Sequence, residues 1–155
     1  MPNKNNQQVR AITAIVCDEV RVENNGKPFL IGVYTGSINI EAAEIPVDKD
    51  IYNFQMAIWL LLELKQIGEI NVDLQIKTPN AEKAILVKAK AIIDKLPMKG
   101  EIIPVSIGPL PLKLWHDGEI EIQFRNQIDS EWETIRVLPV TVKVNPSLSN
   151  TFMGA

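Results

Sequence analysis

The sequence predicts an all-β protein, an antiparallel β-sandwich of about seven to nine strands. Apolar and polar residues alternate along several short runs, the mark of strands with one buried face. Glycine-centred turns separate those runs. Ten prolines are spread over 155 residues, which suits edges and loops better than long helices.

Residues 1–8 are polar and without an apolar run, so they are expected to be a disordered tail with no secretory signal. A single sandwich domain is expected over 9–145 and a second tail over 146–155. The stretch "AIVCDEVRVENNGKPFLIGVYTGSI" reads as a hairpin about Asn25-Gly26, the pair that favours a two-residue type I′ turn. That turn sets Val22 opposite Phe29, Val20 opposite Ile31 and Val16 opposite Thr35. It also sets Asp18 opposite Val33 on the apolar face, where a lone carboxylate is costly. A β-bulge near Cys17–Glu19 relieves the conflict and turns Cys17 and Ile15 inward. Gly32 and Gly36 flank Tyr34 and offer its ring bare backbone.

A second hairpin is expected in "IWLLLELKQIGEINVDLQIK", with a loop at Gln66-Ile67-Gly68. Ile58, Leu60, Leu62 and Leu64 then face Ile76, Leu74, Val72 and Ile70. Trp59 and Leu61 fall on the outer face, either covered by another element or forming an interaction surface. Residues 81–96 alternate as a strand, with Ile85, Val87 and Ala89 on one face and Lys88 and Lys90 on the other. They also make a helical stripe, so a single short helix is the alternative there; the all-β surroundings tip the reading to strand. A third hairpin is expected about His116-Asp117-Gly118, pairing Leu114 with Ile120, Leu112 with Ile122 and Leu110 with Phe124. The last strand alternates Leu138, Val140, Val142 and Val144. Pro139 marks an edge or bulge within it.

The run Cys17, Asp18, Glu19, Val20, Arg21, then Gly26, Lys27, then Leu30, Ile31, Gly32, Val33, Tyr34 resembles the opening of a family of small uncharacterised bacterial proteins, a domain of unknown function. The later "LPLKLWHDGEIEI" is similar to that family's Leu-rich strand and glycine turn. The likeness spans roughly 25 residues, the length of one hairpin. It implies a β-sandwich and brings with it no activity, ligand or catalytic residue.

Composition narrows the function. Net charge is −3, so attraction to nucleic acid or an anionic membrane is not expected. No run approaches the ~18 apolar residues of a membrane helix. One cysteine excludes an internal disulfide framework, and the expected compartment is the bacterial cytoplasm.

Cys17, Asp18 and Glu19 could form half of a nucleophile or metal site. A catalytic thiol needs a base, and the one imidazole, His116, sits on a separate turn. One Cys and one His fall short of a zinc set, so a bulge is the preferred reading. Asp48-Lys49-Asp50 offers too few acids for calcium. His116-Asp117 reads as a plain turn. Lys77, Lys83, Lys88, Lys90, Lys95 and Lys99, relieved by Glu82 and Asp94, read as a solvated or edge-protecting face because no aromatic interleaves them.

The expected function is a non-enzymatic binding or assembly module without cofactor, metal or catalytic residue. It would act on an unknown protein partner through Trp59 and Leu61 or an edge strand. The alternatives are a homo-oligomerising structural protein, and an enzyme with a site from Asp18, Glu19 and His116 near Cys17.

Overall fold

The computed structural model describes residues 9–64, 68–79, 83–93, 102–126 and 130–148. The predicted tail over 1–8, the loop at residues 66 and 67, Glu82, Asp94, Lys95, Lys99 and the end of the tail over 146–155 lie outside them. The described chain is all-β and sandwich-like. Its strands are β1 (Val9–Cys17), β2 (Glu19–Val22), β3 (Pro28–Ile31), β4 (Ile38–Ala42), β5 (Phe54–Leu64), β6 (Gly68–Lys77), β7 (Ile85–Ile93), β8 (Ile102–Leu112), β9 (Gly118–Arg125) and β10 (Glu133–Val144). No helix among the described residues is long and apolar enough to cross a membrane.

Three sheets result: three strands in the order β1-β5-β8, five in the order β4-β10-β9-β6-β7, and the hairpin β2-β3. The ten described strands exceed the seven to nine expected. The pairing is not wholly antiparallel either, because β10 runs parallel to β4, with Val140 beside Ile38.

The two larger sheets bury their inner faces against each other in one core. Val16, Ile58, Leu60, Leu62, Ile107 and Leu112 come from the three-stranded sheet. Ile38, Val72, Leu74, Ile76, Ile120, Ile122, Phe124, Leu138 and Val140 come from the other. Inward parity along β5, β6, β9 and β10 is as the alternation predicts. Burying such a side chain stabilises by about 1.5–3 kcal/mol.

The second and third predicted hairpins do not form. β5 pairs with β1 and β8, while β6 pairs with β7 and β9. β8 pairs with β5, while β9 pairs with β10 and β6. The paired apolar rows of the prediction do meet in the core, but from opposite sheets. Alternation reveals which face of a strand is buried and is silent on which strand lies beside it.

Over 81–96 the strand reading holds and the helical alternative is overturned for the residues of β7. Ile85, Val87 and Ala89 pack on the core, and Lys88 and Lys90 are exposed. β6 needs a hydrogen-bonding neighbour on this side, which a helix could not supply. Pro139 faces Glu119 of β9 just before β4 joins at Val140, so its missing N–H falls where β10 has a neighbour on one side.

The outer face of the five-stranded sheet is polar. Gln75 Nε2 donates to Gln123 Oε1 at 2.7 Å, and Thr134 Oγ1 donates to Glu121 Oε1 at 2.6 Å. Asp73, largely buried, takes an ion pair from Arg125 at 3.1 Å, and Arg125 stacks 4.1 Å from the Trp132 ring centre. A buried charge left without its partner is strongly destabilising, so this pair works as a unit.

The sheet exchange is open to a cross-linking test. Glu63 and Ile102 are register partners, whereas the predicted hairpin would pair Glu63 with Asn71. A Glu63→Cys, Ile102→Cys protein should oxidise to a disulfide found by peptide mapping, since paired strands place Cα atoms about 4.5–5.5 Å apart. Glu63→Cys with Asn71→Cys should stay reduced, its residues lying on opposite outer faces of sheets about 10 Å apart.

Candidate functional site

The first strand breaks at Asp18. Val16 and Cys17 are both buried, although neighbours on a strand point to opposite faces. Val16 enters the core. Cys17 faces outward with its register partner Ala57, and the two are covered because β2 leaves the sheet at Asp18 and lies against β5 and β8. The predicted β-bulge at Cys17–Glu19 is not formed: the register with β5 is unbroken from Thr13–Leu61 to Cys17–Ala57, the strand ends there, and Cys17 and Ile15 lie on the outward side instead of turning inward, while Asp18 is exposed. An unanticipated bulge lies upstream at Ile12, between the pairs Ala11–Leu62 and Thr13–Leu61.

The β2-β3 register differs by one residue from the expected one: Val20 faces Leu30 and Val22 faces Pro28. The loop has three residues. Glu23 N–H donates to Lys27 O and Gly26 N–H to Glu23 O, both at 2.9 Å. Gly26 alone takes positive φ, at 82°, whereas a type I′ turn requires it of Asn25 as well. With Val22 at 66% and Phe29 at 56% exposure, no buried face holds the hairpin to one register.

Asp18 is anchored through its backbone N–H and one carboxylate oxygen. Its N–H is shared between Ile31 O at 2.9 Å and Gly32 O at 3.2 Å. Its Oδ1 accepts from the Tyr34 hydroxyl at 2.5 Å. Gly32, at φ 66°, leaves the space its carboxylate fills: a Cβ there would stand 2.0 Å from Asp18 Oδ2. Tyr34 leans on Phe54 with ring centres 5.6 Å apart, and its N–H donates to Val16 O at 2.9 Å. Glu19 takes a two-pronged contact from Arg21, at 2.9 and 3.0 Å. These bonds from Arg21 hold its carboxyl below the usual range.

Between β2 and the ends of β5 and β8 lies a groove of about 610 Å³. Its lining comes from three segments: Asp18, Glu19 and Val20; Phe54, Gln55 and Ala57 of β5; and Ser106 to Pro109 of β8. Asn53 closes one end, its side chain donating to Leu114 O at 3.0 Å and accepting from Leu114 N–H at 2.7 Å. The two acids named as site candidates thus line a concavity, which the preferred reading of a bulge did not include.

The thiol beside it is in an inert setting. Burial, then the Asp18 charge, push Cys17 above its usual 9.0, and its Sγ donates to Glu19 O at 3.5 Å. Burial pushes the Tyr34 phenol up as well, reinforced by its bond to Asp18. His116 lies elsewhere: its Nε2 is 3.3 Å from Lys49 Nζ, and no described contact joins it to Asp18, Glu19 or Cys17. Asp117 accepts from Val142 N–H at 2.7 Å, holding β10 rather than its own turn. Asp50 pairs with Lys113 at 3.1 Å. No group of three His, Cys, Asp or Glu that could hold a metal ion occurs among the described residues.

Trp59 and Leu61 lie on the outer face of β5, half-buried beside Ile15 and Thr13 of β1 and Ser106 and Pro104 of β8. They are neither fully covered nor fully open. Sequence reasoning missed Asn53, Phe54, Ser106, Gly108 and Pro109. The dense "IGPLPL" was the available signal for an irregular strand there. No protein-family model matches the chain, and no curated protein matches it.

Two outcomes follow from this geometry. Gly32→Ala should lower stability by about 2 kcal/mol or more in urea melts, since a left-handed alanine alone costs ~1–2 kcal/mol and its methyl meets Asp18. Cys17 and Tyr34 both hold their protons more tightly in the fold than in the unfolded chain. Their contribution is therefore complete below about pH 9 and lost as pH climbs through their folded-state values. Urea midpoints should stay flat from neutral pH to about 9 and fall above it.

Proposed function

We propose that the protein is a non-enzymatic binding module of the bacterial cytosol, and that the groove beside β2 receives an extended segment of a protein partner. The observation that carries this reading is the commitment of the groove's polar groups. Asp18 is bound by Tyr34, Glu19 by Arg21, and Asn53 by the Leu114 backbone. Groups locked in this way orient a ligand well and leave no unengaged nucleophile–base pair. A carboxylate has about four acceptor positions, so both acids keep capacity for an incoming donor. Val20 and Phe54, both half-buried in the groove's lining, supply apolar contact area. The favoured segment is one with a Lys or Arg directed at Asp18 and Glu19 and small apolar residues on either side. The resemblance of residues 17–34 to a family of small bacterial proteins belongs to the same proposal.

The reading is tested by selecting peptides from a displayed library on the immobilised protein, with a Ser106→Trp protein as the blocked control. Enriched peptides should carry a basic residue, bind about tenfold more weakly to Ser106→Trp, and weaken as salt screens the carboxylates. Peptides that bind both proteins equally, or no enrichment at all, would overturn it.

A further inference from the structure

The two main sheets end in four edge strands, β1, β8, β4 and β7. An open edge is a template for another strand, and proteins normally block it. β1 carries the Ile12 bulge, and its carbonyls accept from Tyr34 N–H at Val16 and Asn126 Nδ2 at Val9. β8 contains Pro104, Pro109 and Pro111, none able to donate. β4 is five residues long. β7 is different: nine residues without proline, in unbroken register with β6 from Gly68–Ile93 to Ile76–Ile85. Among the described residues nothing pairs with its other side.

The outward face of this edge carries one apolar residue, Leu86, and two basic ones, all exposed. Lys88 and Lys90 point outward and are exposed. Lys90 pairs with Glu69 of β6 at 3.1 Å. Lys88 faces Asp73 of β6 in register, but that carboxylate is taken by Arg125. Inward, Ile85, Val87 and Ala89 are only half-buried, so a further strand would extend the core over them. A second copy of β7 is a poor occupant because β7 carries no acid: antiparallel pairing centred on Ala89 sets Lys88 against Lys90, and pairing centred on Val87 sets Lys88 against Leu86, so neither supplies the lysines with a counter-charge. β6 itself illustrates what fits, an alternating strand whose outward acid Glu69 holds Lys90 and whose Asp73 stands in register with Lys88.

We propose that β7 is a strand-addition edge for a different protein, which docks an extended segment alternating apolar residues with Asp or Glu, its acids two positions apart opposite Lys88 and Lys90. This surface is on the sheet opposite the groove and is independent of it.

The probe is a fluorescein-labelled peptide Thr-Val-Glu-Val-Glu-Val-Thr, titrated by anisotropy against the whole protein, with Thr-Val-Lys-Val-Lys-Val-Thr as its charge-reversed control. The acidic peptide should bind at least tenfold more tightly, and bound peptide should slow amide exchange in β7. A Lys88→Glu, Lys90→Glu protein should invert the preference. The milder Lys88→Gln, which leaves the Lys90–Glu69 pair in place, should weaken acidic-peptide binding severalfold. The groove-blocking Ser106→Trp should leave it unchanged. Equal binding of both peptides, no binding, or indifference to both lysine variants would overturn the proposal. So would a mass that doubles with concentration in step with slowed amide exchange in β7, which would assign the edge to a second copy.

Discussion

Each long strand of this protein has one apolar face and no described helix to cover it, so the two larger sheets must cover each other. Ile58, Leu60 and Leu62 of β5 share a core with Leu74 and Ile76 of β6, though the two strands are consecutive in the chain. The chain therefore crosses between the two larger sheets from β4 to β5, from β5 to β6, from β7 to β8 and from β8 to β9. Only β2-β3, β6-β7 and β9-β10 pair with an immediate sequence neighbour. The three-stranded sheet is built wholly from strands distant in sequence.

That constraint explains which features were legible. Inward and outward assignments along β5, β6, β7, β9 and β10 could be read from period-two alternation, because burial acts on each strand separately. Neighbours could not: Leu62 and Val72 share an interior whether they lie side by side or face each other across it. Glycine near a strand start, as at Gly68 and Gly118, favours a hairpin locally, yet the crossings use the same residue types. The break at Asp18 was legible because a carboxylate fell in an apolar row. The groove beside it was not, since its walls come from the segments around residues 18–20, 53–57 and 106–109.

The acids next to the thiol are better understood through their partners than through the thiol. Asp18 is the junction where β1 hands the chain to β2, and Gly32 and Tyr34 shape the space and the bond that hold it. Cys17 serves as a small apolar filler beneath β2, paired in register with Ala57. One local irregularity thereby covers Cys17 and Ala57 and opens a groove beside them. Its chemistry is that of a shaped surface with fixed acceptors.

The parallel ladder between β4 and β10 has a consequence in time. It joins positions 38 and 140, and every other strand of the five-stranded sheet is made between them. On a ribosome adding about 5–20 residues per second, β4 waits roughly 5–20 s for its partner to be synthesised. Until then Ile38 has no neighbouring Val140 to shelter it. The nascent chain thus carries an unfinished seam through most of its synthesis, and closing that seam is a late event that completes the larger sheet.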